Sequence, residues 1–118
     1  MSKAVWFGFM EPTEDQREGA RLRGDEICAV PEGMALGFLD LSEPEILKRA
    51  VAALRNLCAR EGSQSIYFTG VPTPIIKLSW DIVSQAVECG DGFPGMRAIM
   101  APVTSGGKFL RWEVVGAI

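Results

Sequence analysis

Three short stretches of the sequence combine hydroxyl groups, turn-forming backbone and, in one of them, a cation. Thr69-Gly70-Val71-Pro72-Thr73 follows one apolar run, Met10-Glu11-Pro12-Thr13 follows another, and Thr104-Ser105-Gly106-Gly107-Lys108 follows a third. Hydroxyls, free backbone N–H groups at helix starts and an ammonium are what a phosphate or phosphodiester needs around it. Each stretch also has an ordinary reading. Thr13 and Thr73 serve as helix caps, and Thr104 to Gly107 serves as a hairpin turn. Only their convergence on one rim would turn three weak signals into a site.

Much other chemistry is excluded. The 118 residues include no histidine, which removes Ser-His and Cys-His nucleophile pairs, imidazole acid–base catalysis and nearly every zinc site. Neither a dinucleotide fingerprint nor a GxxxxGK[ST] P-loop is expected. Cys28, Cys58 and Cys89 are odd in number and lack a CxxC spacing, so they read as reduced thiols of a cytoplasmic protein. Glu11, Glu14 and Asp15 complement a helix dipole before they suggest a magnesium site. Trp6, Trp80 and Trp112 read as core or interface residues. Arg97, Arg111 and Lys77 read as solvated charges, any of which can reach a phosphate. The formal charge of −3 argues against electrostatic coating of duplex nucleic acid. No apolar run approaches the roughly 20 residues of a membrane span, and the apolar part of the N-terminus is too short for a signal peptide.

The elements that must position these residues follow from pattern. Lys3 to Met10 is dense in Val5, Trp6, Phe7 and Phe9 and reads as a first strand. Thr13 with Gln16 forms a capping box for a helix over Glu14 to Leu22, ended by Gly24. Ile27 to Val30 is a short strand closed by Pro31. The stretch Pro31 to Leu41 is too apolar for a disordered linker and otherwise unreadable. Ser42 with Glu45 gives a second capping box, and Ile46, Leu47, Ala50, Val51, Leu54, Leu57 and Cys58 keep helical spacing up to Gly62. Ile66 to Thr69 is an unbroken strand of the doubly buried type. Gly70 turns the chain, Thr73 caps and Pro74 opens a third helix that ends near Cys89. After the turn-rich Asp91 to Gly95 come a strand over Arg97 to Ala101 and a turn over Val103 to Gly107. The last strand, Lys108 to Val115, sets Phe109, Arg111 and Glu113 on one face against Leu110, Trp112 and Val114 on the other.

The order β-α-β-α-β-α-β-β predicts a single α/β domain over residues 1–118, a Rossmann-like three-layer sandwich. Its mostly parallel five-stranded sheet takes the order 2-1-3-4-5, with an antiparallel last strand at one edge. Strands one and three then lie side by side, and a crevice opens beyond their carboxyl ends. The three hydroxyl-bearing loops are expected to meet there.

Four patches carry a family resemblance. They are Phe7-Gly-Phe-Met-Glu-Pro-Thr-Glu-Asp-Gln16, the strand Ile27 to Pro31, Tyr67-Phe-Thr-Gly-Val-Pro-Thr73, and Met100-Ala-Pro-Val-Thr-Ser-Gly-Gly-Lys-Phe109. In this layout the chain resembles the small CRISPR-associated ring nucleases and CARF-like proteins, relatives of the sensors of cyclic oligoadenylate. Some relatives carry His near the first helix start or Arg after the late strand, where this chain has Met10-Glu11 and Ser105-Gly106. The resemblance implies a homodimer, with a cyclic oligoadenylate second messenger of type III CRISPR antiviral signalling lying across its two-fold axis. It implies metal-independent cleavage by a ribose 2′-hydroxyl attacking its neighbouring phosphate, with no cofactor. Thr73, Lys108 and Ser105 would then align the ligand and stabilise charge, while Met10, Thr13, Thr69, Gly70, Thr104, Gly106 and Gly107 line the binding surface. Two other classes stay open. One is a non-catalytic interaction module, such as a phage or accessory protein, using Met34 to Leu41 and the tryptophans as an exposed patch. The other is an enzyme on a different small phosphorylated ligand.

Overall fold

The computed structural model describes residues 1–8, 11–29, 43–88 and 97–117. Eight elements follow in the expected order: β1 (Ser2–Phe7), α1 (Glu14–Leu22), β2 (Asp25–Ala29), α2 (Pro44–Glu61), β3 (Ser65–Phe68), α3 (Thr73–Glu88), β4 (Ala98–Ser105) and β5 (Lys108–Ala117). They form a five-stranded sheet in the order β2-β1-β3-β4-β5, parallel throughout except for the antiparallel β5. The expectations that fell on Met10, Ser42, the stretch 31–41 and the loop 91–95 lie outside the described residues. No described helix is long and apolar enough to cross a membrane.

Period-two alternation divides the sheet into two unlike faces. Val5, Phe7, Ile66, Phe68, Ile99 and Ala101 face α2 and α3, which cover them with Leu47, Val51, Leu54, Leu57, Ile76 and Val83. Ala4, Trp6, Tyr67 and Met100 point the other way, where α1 contributes Ala20 and β5 contributes Trp112. All four residues of β3 are buried, as a strand covered on both faces requires.

The helix ends agree with expectation at α1 and depart from it by one residue at α3. The α1 capping box is as the sequence indicates: the Gln16 N–H donates to Thr13 Oγ1 at 3.2 Å, and the Thr13 N–H donates to Gln16 Oε1 at 2.8 Å. For α2 the N-cap is Glu43, which makes no side-chain cap bond, and Pro44 opens the helix at the position proline prefers. For α3, Thr73 is already helical, and the Pro72 carbonyl accepts from the Ile75 and Ile76 N–H groups at 2.9 and 3.2 Å. Pro72 therefore holds the cap position that Thr73 was expected to fill.

The final hairpin departs further. β4 runs on to Ser105, which pairs with Lys108, leaving Gly106 and Gly107 as a two-residue turn with φ of 58° and 78°. Positive φ at both central residues is what a type I′ hairpin needs, and glycine adopts it without strain. Val103 and Thr104 are thus strand rather than turn. The pairing jumps from Val103↔Arg111 to Thr104↔Phe109, and from Ile99↔Gly116 to Met100↔Val114. Leu110 and Val115 are the extra residues of two β-bulges. The first bulge overturns the simple alternation: Phe109 and Trp112 share the α1 face, with ring centroids 5.1 Å apart.

Candidate functional site

The carboxyl-end rim forms where neighbouring crossovers part. β1 leads through α1 to β2 on one side, and β3 leads through α3 to β4 on the other, so the tips of β1 and β3 sit together with no crossover above them. The Thr69 N–H donates to the Phe7 carbonyl at 3.0 Å, joining the two tips. Gly8 lies where a Cβ would strike the Thr69 methyl and the Trp6 indole. Gly70 turns away at φ 70°. Thr69 and Gly70, with Gly8, therefore form one continuous tip.

The other expected site residues are placed less tightly. Thr13 is spent on its capping box, leaving the Glu14 and Asp15 amides at the start of α1. At the start of α3, Pro74 has no N–H and the Ile75 N–H is given to Pro72, so Thr73 supplies the remaining amide of the first three helical residues. Thr73 and Lys108 are exposed, as are Thr104, Ser105, Gly106 and Gly107. Met100 pairs with Tyr67, and Ser105 lies five residues further along β4. At about 3.3 Å per residue Ser105, which leads into the Gly-Gly turn, stands roughly 16 Å beyond the Tyr67 level. The three loops share an end of the sheet, but the third rises above the other two instead of closing on them.

The opposite end of the sheet holds a cleft that sequence reasoning missed. A cavity of about 190 Å³ is lined by Ser2, Arg23, Asp25, Gln64, Arg97 and Met100 with their neighbours, at the amino ends of β1, β2, β3 and β4. Asp25 is 8% exposed and accepts a hydrogen bond from the Tyr67 hydroxyl at 2.5 Å. Burial raises the Tyr67 pKa well above the usual phenol range, the Asp25 carboxylate raises it further, and Arg23 opposes both. Gln64 carries the local scaffold: its N–H donates to the Lys3 carbonyl at 3.2 Å, and its carbonyl accepts from the Arg97 and Ala98 amides at 2.7 and 3.4 Å. Its side-chain Oε1 is buried without a hydrogen-bond partner. Asp25 directly after Gly24 at a strand start was the available sequence signal, but its partner lies 42 residues away.

The glycine spacing of a dinucleotide fingerprint, expected to be absent, does occur once in the sequence. Gly90-Asp91-Gly92-Phe93-Pro94-Gly95 has GxGxxG spacing, yet it follows a helix and precedes a strand. A dinucleotide fingerprint requires the reverse order, so the match carries no such chemistry. Among the described residues, no group of three or more acids and cysteines could hold a metal ion.

No protein-family model, curated protein or solved structure matches this chain.

Proposed function

We propose that the chain binds a nucleotide of the cyclic-oligoadenylate class at the carboxyl ends of β1 and β3, and that any cleavage proceeds by the ligand's own 2′-hydroxyl without a metal. The observation that carries this reading is the strand order, which leaves those two tips side by side at the point where the crossovers diverge. In open α/β sheets that crevice is where ligands bind. Thr69, Gly70 and the Thr73 amide would meet phosphate from below. Ser105, the Gly106-Gly107 turn and Lys108 would meet it from the standing hairpin. A ligand that touches both levels is broader than a mononucleotide, which favours a macrocycle. With no histidine to move protons, the protein's contribution would be alignment and charge stabilisation.

The interaction-module reading loses part of its support, because Trp6 and Trp112 are buried at 0% and 4% exposure and Trp80 packs against the α2–α3 core. They form no surface patch.

Thermal melting with cyclic tetra-adenylate tests the proposal. A ligand at 100 times its dissociation constant stabilises by about 2.7 kcal/mol. A clear upward shift is expected; an unchanged melt with cyclic tetra-adenylate beside a shift with a mononucleotide would transfer the reading to another phosphorylated ligand. Product analysis with Thr73→Ala and Lys108→Ala then separates binding from cleavage. Turnover equal to wild type in both variants removes the assigned roles.

A further inference from the structure

The cleft at the amino ends of the strands lies across the sheet from the proposed nucleotide rim and is chemically different from it. Two guanidinium side chains, Arg23 and Arg97, line it, and among the described residues neither takes part in an ion pair. Arginine presents a planar fork of donors suited to a carboxylate or phosphate. Asp25, the acid in the cleft, is held by the Tyr67 hydroxyl, so its position is set by that bond. Gln64 Oε1 is a buried acceptor with no donor. A buried acceptor left unmet is destabilising, and a native structure that keeps one has a reason to do so. The cleft thus brings together two guanidinium groups outside any described ion pair, of which Arg23 also reaches the Tyr67 hydroxyl, and an unmet acceptor for an N–H group. Its volume of about 190 Å³ falls below the range of roughly 300–1,000 Å³ that holds drug-sized molecules. The occupant must be small.

We propose that this cleft binds a small zwitterion of the amino-acid type, its acid group between Arg23 and Arg97 and its ammonium directed at Gln64 Oε1 and the Asp25 carboxylate. The two arginines recognise charge, and the two acceptors distinguish a zwitterion from a bare anion. The Tyr67–Asp25 bond keeps the acid in place between binding events. Because the site is at the other end of the strands, its occupancy is independent of any nucleotide at the β1–β3 tips.

Isothermal titration of the full chain with L-glutamate and O-phospho-L-serine provides the test, with acetate, inorganic phosphate and methylammonium as single-charge fragments. At least one zwitterion is expected to bind ten-fold or more tightly than every fragment. Arg23→Ala and Arg97→Ala, both exposed and outside the core, should each weaken binding at least ten-fold at an unchanged melting temperature. Gln64→Met should erase the preference for zwitterion over anion while leaving anion binding in place. Amide resonances of Gly24, Gln64 and Ala98 should move on titration while those of Gly8, Thr69 and Gly70 stay still. The proposal fails if neither zwitterion binds, if fragments bind as tightly as zwitterions, if both arginine variants bind normally, or if the moving resonances are those of the β1–β3 tips.

Discussion

The two faces of the sheet reach the same burial by different means. The α2–α3 face is mainly aliphatic, closed by two long helices whose Leu, Ile and Val side chains need only fit. The α1 face has one nine-residue helix over it, and aromatic rings supply much of the rest. Trp112 stands edge-on to Trp6 and Tyr67, at centroid separations of 5.7 and 4.9 Å, and its indole N–H donates to the Gln16 carbonyl at 2.9 Å. Trp6, Tyr67 and Trp112 on this side thus each bring a polar handle that must find a partner. A face short of helix is closed by a bent hairpin, and the hairpin is fastened by directional bonds as well as by area.

Truncating each face at its centre gives the largest test. Trp112→Ala should cost about 3–5 kcal/mol and Leu54→Ala about 2–5 kcal/mol, read from urea midpoints. In the Trp112 variant, hydrogen exchange should rise first in α1 and β5, which it joins. Uniform loss of protection across both faces would show that they do not differ in this respect.

Tyr67→Phe probes the directional bonds alone. It leaves the buried Asp25 carboxylate without its donor and should cost about 1–3 kcal/mol at neutral pH. The raised phenol pKa means the folded state favours the protonated form. That stability is complete below the unfolded tyrosine value near 10.0 and declines as pH rises above it. Wild type should therefore lose stability more steeply than Tyr67→Phe in this alkaline range, and parallel curves would remove the phenol from the account.

Glycine-to-alanine exchange gives the smallest effects, of opposite character on the two sides. At Gly116 a Cβ would run into the Trp80 ring, and overpacking should cost about 1–3 kcal/mol. At Gly19 it would lie 3.1 Å from Phe109 and Trp112, while alanine gains up to about 1 kcal/mol of helix propensity. Gly19→Ala should change the melting point little, and a loss as large as that of Gly116→Ala would mean the cover over the α1 face is as unyielding as that over the α2–α3 face.

Much of this architecture was legible because it is local. The Thr13–Gln16 box fixed α1 to the residue, and the alternation of strands and helices implied the sheet order. What escaped notice depends on pairing between distant residues. Nothing in Lys108 to Val115 announces that Leu110 is an extra residue, since a bulge exists only relative to its partner strand. That single slip moved Phe109 onto the side of Trp112. In the same way, Asp25, Gln64 and Arg97 acquire a common cleft only when β2, β3 and β4 are laid in register. At the rim, the sequence identified which loops share an end but not their heights, because the length of β4 beyond β3 is set by its partner β5.

The two bulges have a further consequence, for solubility. β5 is an outside strand of ten residues whose outer edge pairs with no other strand among the described residues, an edge that would invite a neighbouring sheet to extend across it. The irregularities at Leu110 and Val115 leave only residues 111–114 straight between them, and Arg111 and Glu113 put charges on that remnant. Such an interrupted, charged border gives a second strand little length to zip along. The same kinks that fold the hairpin over α1 therefore guard the molecule against sheet-to-sheet aggregation.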